Sequence, residues 1–159
     1  MALRRAGKGI THLMKRISLI SIFFFILFLF LASTTIAQVQ VRVRVIQAST
    51  VGSTIDSHLK DVHDQLGSLF NFTSYRLLRD ETLTLSTDQP VSVPVHTGRS
   101  MEINLMGQHR DIVKLIVKIK REGTDVLNTH VRLSPRRTVL IGGPKHGEGV
   151  LILALSTHL

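Results

Sequence analysis

Histidine is the residue of this chain best suited to metal or proton chemistry. Seven of its eight copies, His58, His63, His96, His109, His130, His146 and His158, lie beyond position 57. Imidazoles hold a metal when two share a helix face at i, i+4 or join thiolates at close spacing. His58 and His63 are five residues apart, which turns them about 140° from one another on a helix. The other five are scattered over separate strands and turns. The chain has no cysteine, so thiolate ligands, cysteine nucleophiles and disulfides are excluded. Neither HExxH nor GxSxG occurs. Asp80 and Glu81 are adjacent carboxylates in an extended stretch, where neighbours point to opposite faces and form no acid–base pair. These patterns predict no catalytic residue, no metal site and no cofactor, and the chain reads as a non-enzyme. An active site assembled from distant positions is the enzymatic alternative.

Two further groups of residues could bind rather than react. The run Gly142-Gly143-Pro144-Lys145-His146-Gly147-Glu148-Gly149 has the composition of a phosphate cradle but not the GxxxxGK[ST] spacing. A strand follows it, so no helix N-terminus is placed to meet an anion. It reads as a hairpin connection whose glycines supply positive φ, with Gly142, Gly143, Lys145, His146 and Gly147 as a candidate contact loop. The second group is basic. Arg42 and Arg44 fall on the polar side of one alternating segment, Lys114, Lys118 and Lys120 on that of another, and Arg132 on a third. If these strands share a sheet, the six side chains form one cationic face suited to an acidic protein, an anionic lipid or an anionic glycan. The alternative is a solvated face that keeps an exposed sheet soluble. Nucleic acid is disfavoured, because one Tyr and no Trp leave little for bases to stack on. The sequon Asn71-Phe72-Thr73 matters only in a eukaryotic secretory pathway.

The elements that must carry these residues are mostly strands. Residues 38–45 (QVQVRVRV) alternate without a fault, the period of a half-buried strand. Ile55, Leu59, Val62, Leu66 and Leu69 then recur at spacings of four and three. That pattern predicts an amphipathic helix of about four turns, capped by Ser53 or Thr54, whose stripe docks on the sheet. Strand signals follow in succession. Residues 72–79 and 81–86 are separated only by Asp80 and form either one bent strand or a tight pair. Pro90 and Pro94 mark residues 91–95 as an edge strand. Gly98 and Glu122-Gly123 mark turns, and Pro135 breaks the chain before residues 138–141. The last strand, VLILALS, is apolar on both faces and belongs in the middle of a sheet covered on both sides. The fold class expected is α+β: one strand, one amphipathic helix, then about seven or eight mostly antiparallel strands closing as a sandwich or a partly open barrel.

Ahead of this domain, residues 17–31 (ISLISIFFFILFLFL) follow a basic stretch and lead into small residues ending at Ala37, the layout of a secretory signal. Cleavage would fall between Ala37 and Gln38. As an uncleaved anchor the segment is short: fifteen helical residues reach about 22 Å, against a hydrocarbon core of roughly 30 Å. Continuing the helix to Ala37 would span it, so both forms stay open. Either way residues 1–37 are a signal peptide or signal anchor that engages the inner membrane, and residues 38–159 are an exported β-rich domain in the periplasm or cell envelope. The formal net charge of +9 overstates how basic that domain is, since Arg4, Arg5, Lys8, Lys15 and Arg16 precede the apolar run and no acid does. An exported domain without cysteine fits a bacterial envelope better than a disulfide-rich extracellular module.

The ending RTVLIGGPKHGEGVLILAL and the opening VRVRVIQAS resemble β-rich periplasmic modules of bacterial secretion and pilus machinery. These stretches cover under a third of the exported domain, and the resemblance assigns no residue a role. It implies a non-enzymatic envelope protein with a protein partner, such as an accessory subunit of a larger assembly. A binder of anionic lipid or glycan is the alternative.

Overall fold

The computed structural model describes residues 38–96 and 98–157. The expected signal segment, with Ala37 of its cleavage position, lies outside the described residues, as does His158. Gln38 is the first residue of a strand. The described chain runs β1 (Gln38–Ser49), a single 3-10 turn (Ser57–Leu59), α1 (His63–Leu69), β2 (Ser74–Ser86), β3 (Val91–His96), β4 (Arg99–His109), β5 (Ile112–Arg121), β6 (Thr124–Leu133), β7 (Thr138–His146) and β8 (Gly149–Thr157). The strands form two four-stranded sheets, ordered β2-β1-β8-β7 and β3-β4-β5-β6, and every ladder is antiparallel. The molecule is a mostly-β sandwich with one short α-helix among the described residues.

The alternation in the sequence decides which side chains meet. Val39, Val41, Val43 and Val45 of β1 and Leu151, Leu153 and Leu155 of β8 turn inward. There they meet Met101, Ile103 and Leu105 of β4 and Val113, Leu115, Val117 and Ile119 of β5 in one buried core. The outer face of the first sheet is buried too. Ile46, Ala48, Ile152 and Ala154 lie beneath Leu59, Val62, Leu66 and Tyr75, which is why β8 can be apolar on both faces. Among the described residues no helix lies over the second sheet, and its outer face carries polar and charged residues such as Glu102, Lys114, Lys118 and Lys120. β3, with Pro94 in it, is an edge strand, where a missing backbone donor does least harm.

The helix departs from its expected extent. Its first turn does not form, because residues 54–56 are drawn into extended backbone against β2: the Tyr75 N–H donates to the Thr54 carbonyl at 2.9 Å, and the Asp56 N–H to the Tyr75 carbonyl at 3.0 Å. Neither Ser53 nor Thr54 caps a helix: Asp56 caps the 3-10 turn, its carboxylate accepting from the His58 N–H at 3.0 Å, and α1 begins after Val62 with no side-chain cap. Ile55 and Leu69, the two ends of the predicted stripe, are exposed, while Leu59, Val62 and Leu66 are buried against the sheet. The Tyr75 hydroxyl lies 3.0 Å from the carbonyl of Phe70 and 3.3 Å from that of Leu66 and donates to the end of α1. Its burial pushes its pKa above the ordinary value. Residues 74–86 are one strand, which bends at an irregularity opposite Val45 and Ile46.

Candidate functional site

The single cationic face expected from the sequence does not exist, because its members sit on opposite sides of the sandwich. Arg42 and Arg44 point outward from the first sheet; Lys114, Lys118, Lys120 and Arg132 belong to β5 and β6 of the second. The separation follows from pairing order: β1 is hydrogen-bonded to β2 and β8, never to β5. The arginines of β1 are also neutralised locally. Arg42 makes a two-toothed ion pair with Asp80 at 2.8 and 2.6 Å. The guanidinium holds the Asp80 carboxyl below its ordinary range, and Asp80 in turn raises the pKa of Arg42. Arg44 grips Asp61, at the approach to α1, at 2.7 and 2.8 Å, and the Asp61 carboxyl is likewise held low. With its side chain 1% exposed, Arg44 fastens the helical segment to the sheet and presents no charge to a partner.

On the second sheet, Lys120 and Lys118 share Glu102, at 2.6 and 3.9 Å, which keeps the Glu102 carboxyl below its ordinary value. Lys114 and Arg132 remain. They stand directly opposite one another in the β5–β6 ladder, and neither has an ion-pair partner among the described residues. Like charges facing each other across a ladder are destabilising unless something neutralises them. Arg132 also opens onto a cleft of about 560 Å³ at the edge where β6 passes to β7, lined by Asp61, Gln65, Ser134, Arg136, Arg137 and Thr138. The carboxylate of Asp61 is already committed to Arg44. Gln65 donates to the Thr138 carbonyl at 3.0 Å and ties α1 to this edge.

The turn that presents these arginines is unusual. The Arg137 N–H donates to the Ser134 carbonyl at 3.3 Å, with Pro135 as the first central residue and Arg136, at φ 58°, as the second. A turn with proline first and positive φ second ordinarily takes glycine or asparagine in the second place. Here an arginine occupies it.

The expected contact loop is mostly strand. Residues 142–146 continue β7, and only Gly147 and Glu148 turn the chain into β8. Gly142 and Gly143 are there for close approach rather than for loop freedom. A Cβ on Gly142 would stand 3.3 Å from the Phe70 ring, and one on Gly143 would stand 2.9 Å from the Leu151 carbonyl oxygen. Lys145 is exposed and joins no cluster. His146 and Gly147, by contrast, line a second cleft, of about 470 Å³, with His96, Gly98, Arg99, Arg121 and Glu122. His96 and His146, read from the sequence as scattered, come together with ring centroids 4.3 Å apart, edge to face. Arg99 reaches His146 Nδ1 at 3.3 Å. Burial first, and then the neighbouring His96 and Arg99, push the His146 pKa below its ordinary 6.5.

The other histidines stay apart. His58 contacts Asp56 at 2.9 Å and His63 contacts Asp64 at 3.4 Å. His109 and His130 are exposed on β4 and β6. Sequence reasoning passed over Arg136 and Arg137, although Ser-Pro-Arg-Arg after Arg132 concentrates three arginines in six residues around a turn. It passed over Arg99 and Arg121 because only the β4–β5 register makes them neighbours.

Fold and clefts together define a β-sandwich with cation-lined clefts at its edges. No family model, curated protein or solved structure matches the chain.

Proposed function

We propose that this chain is a non-enzymatic interaction protein of the bacterial envelope, an accessory subunit whose exported sandwich docks an acidic protein partner along the β6–β7 edge. The reading rests above all on the edge cleft, where Arg132, Arg136 and Arg137 converge beside the unpaired Lys114 without a free carboxylate to answer them. Planar guanidinium groups bind carboxylates with two parallel hydrogen bonds, and Ser134, Thr138 and Gln65 add neutral polar groups around them. The cleft is concave, which suits projecting Asp and Glu side chains better than a flat membrane surface. Export is supported by the basic, apolar and small-residue succession of residues 1–37, and the envelope setting by the absence of cysteine.

Crosslinking of the tagged full chain in its native host tests the proposal. A reproducible partner should be captured by the wild type and lost when Lys114, Arg132, Arg136 and Arg137 are changed together to Glu, with salt weakening the wild-type association. A partner retained by the folded quadruple variant would remove this edge from the account. Binding of the wild type to vesicles rich in anionic phospholipid, lost in the variant and with no protein captured, would transfer the edge to a lipid.

The turn supplies an independent check. A non-glycine residue in the left-handed region costs about 1 kcal/mol or more, so Arg136→Gly should stabilise the fold by about that much while weakening partner capture. Urea unfolding measures the first effect and crosslinking yield the second. A glycine variant that is no more stable than wild type would show that the turn stores no strain.

A further inference from the structure

The clefts at the other end of the sheets hold a second set of cations that the edge does not use. Arg99 and Arg121 are directly opposite in the β4–β5 ladder. No carboxylate of the described residues is within ion-pairing distance of either. His96 arrives from β3 and His146 from β7, which belongs to the other sheet, so four strands deliver basic side chains to one place. A neighbouring cleft of about 600 Å³ shares His96, Gly98, Arg99 and Glu122 and adds Arg79 and Lys120. Those two cations are already occupied, Arg79 by Glu81 and Lys120 by Glu102. Glu122 is the single carboxylate lining either cleft among the described residues. The opposed arginine pair is mutually repulsive when the cleft is empty, and a bound anion offsets that repulsion by attracting both guanidinium groups.

We propose that the cleft lined by His96, Arg99, Arg121 and His146 is a binding site for a tetrahedral oxyanion of the sulfate or phosphate type. Donors approaching from β3, β4, β5 and β7 come from several directions, which a tetrahedral anion with oxygen on every side can satisfy and a planar carboxylate cannot. The Arg99 contact leaves His146 Nδ1 as an acceptor in the empty site, hence a neutral ring. An anion favours the imidazolium form of His146, so binding takes up a proton and strengthens as pH falls through the histidine range. The charged groups facing the two rings are Arg99 of β4, Arg121 of β5 and Glu122 of the following turn, with Arg79 and Lys120 in the adjoining cleft.

Isothermal titration of the full chain with sulfate, whose charge is constant between pH 5.5 and 7.5, tests the site. Sulfate should bind at least about 10-fold more tightly at pH 5.5 than at 7.5, with proton uptake read from buffers of different ionisation enthalpy. Arg99→Gln and Arg121→Gln should each weaken binding by about 10-fold or more, as loss of a charge-assisted contact does. Arg121 is exposed, so its variant tests the site even if the Arg99 variant fails to fold. His146→Gln should abolish the pH dependence of sulfate binding. Absence of binding to both sulfate and vesicles containing phosphatidic acid, or binding indifferent to these variants or to pH, would overturn the proposal. Binding to phosphatidic acid vesicles alone, lost in the arginine variants, would support the site with a lipid headgroup as the source of the anion.

Discussion

Asp61→Ala should destabilise the sandwich by about 2–4 kcal/mol, while Arg44→Met, at the other end of the same ion pair, should change stability by less than about 1.5 kcal/mol. The asymmetry follows from burial. The Arg44 side chain is 1% exposed and that of Asp61 is 56% exposed. Removing the acid strands a guanidinium beneath the helical segment, where its Nε already has no hydrogen-bond partner. Removing the arginine leaves a carboxylate that water can solvate, and methionine fills the vacated channel between Ile46 and the helix with apolar atoms. The figure for Asp61 lies below the full penalty for a stranded buried charge, because water entering at its exposed position screens part of the effect. Urea unfolding of both variants decides the matter, and equal losses would show that Arg44 reaches solvent when its partner is gone.

The same pair carries a pH signature. Asp61 titrates below its ordinary 3.8 in the folded chain, so its contribution is complete above about pH 4 and is lost as pH falls through the lower folded value. Asp80, held by Arg42, acts in the same sense. His146 is depressed as well, which makes the anion-free fold lose a little stability below about pH 6.5 as the unfolded chain takes up a proton more readily. Two steps are therefore expected in the urea midpoint, a shallow one near pH 6 and a steep one below 4. Asp61→Ala should remove much of the steep one.

The strands and their buried faces were legible in the sequence, with sandwich and partly open barrel both left open, because that signal is local. Perfect alternation in residues 38–45 and an unbroken apolar run in VLILALS each follow from which faces are buried, and the structure buries those faces. It failed where the answer depended on which strand lies beside which. Arg42 and Lys114 share a polar-face pattern but belong to different sheets. Arg99 and Arg121 are far apart in sequence and opposed in space. His96 and His146 meet only because β7 runs on through residues that look like a loop. The helix shows the same limit, since spacing alone extended it to Ile55 and hydrogen bonds to β2 shortened it. The basic edge was half legible: Arg132 was singled out, but Arg136 and Arg137 looked like punctuation around a proline. Turn geometry, not periodicity, gives them their meaning.

Gly149→Ala is the glycine substitution with the largest expected effect, a destabilisation of about 3 kcal/mol, the upper part of the range for forcing atoms into a packed interior. Gly149 opens β8 opposite Ser49 of β1. A Cβ there would lie 1.8 Å from the Ala48 carbonyl oxygen and 2.9 Å from its carbonyl carbon. These are backbone atoms of the central ladder, so no side-chain rotation relieves the overlap, and β1 and β8 must part at the end that supports Ala48 and Ile46 beneath the helix. Gly147, two residues earlier, has the opposite problem. It has room, the nearest atom being Gln47 Nε2 at 3.8 Å, but its φ of +57° is strained for any other residue, so alanine should cost about 1 kcal/mol. Gly67 in α1 has neither restriction, and alanine there should stabilise by about 0.5–1 kcal/mol through helix propensity. Urea midpoints for the three variants should fall in that order, with Gly149→Ala far below wild type and Gly67→Ala above it. A Gly149 variant no worse than the Gly147 variant would mean that the first and last strands are not held at the spacing on which both buried faces of the first sheet depend.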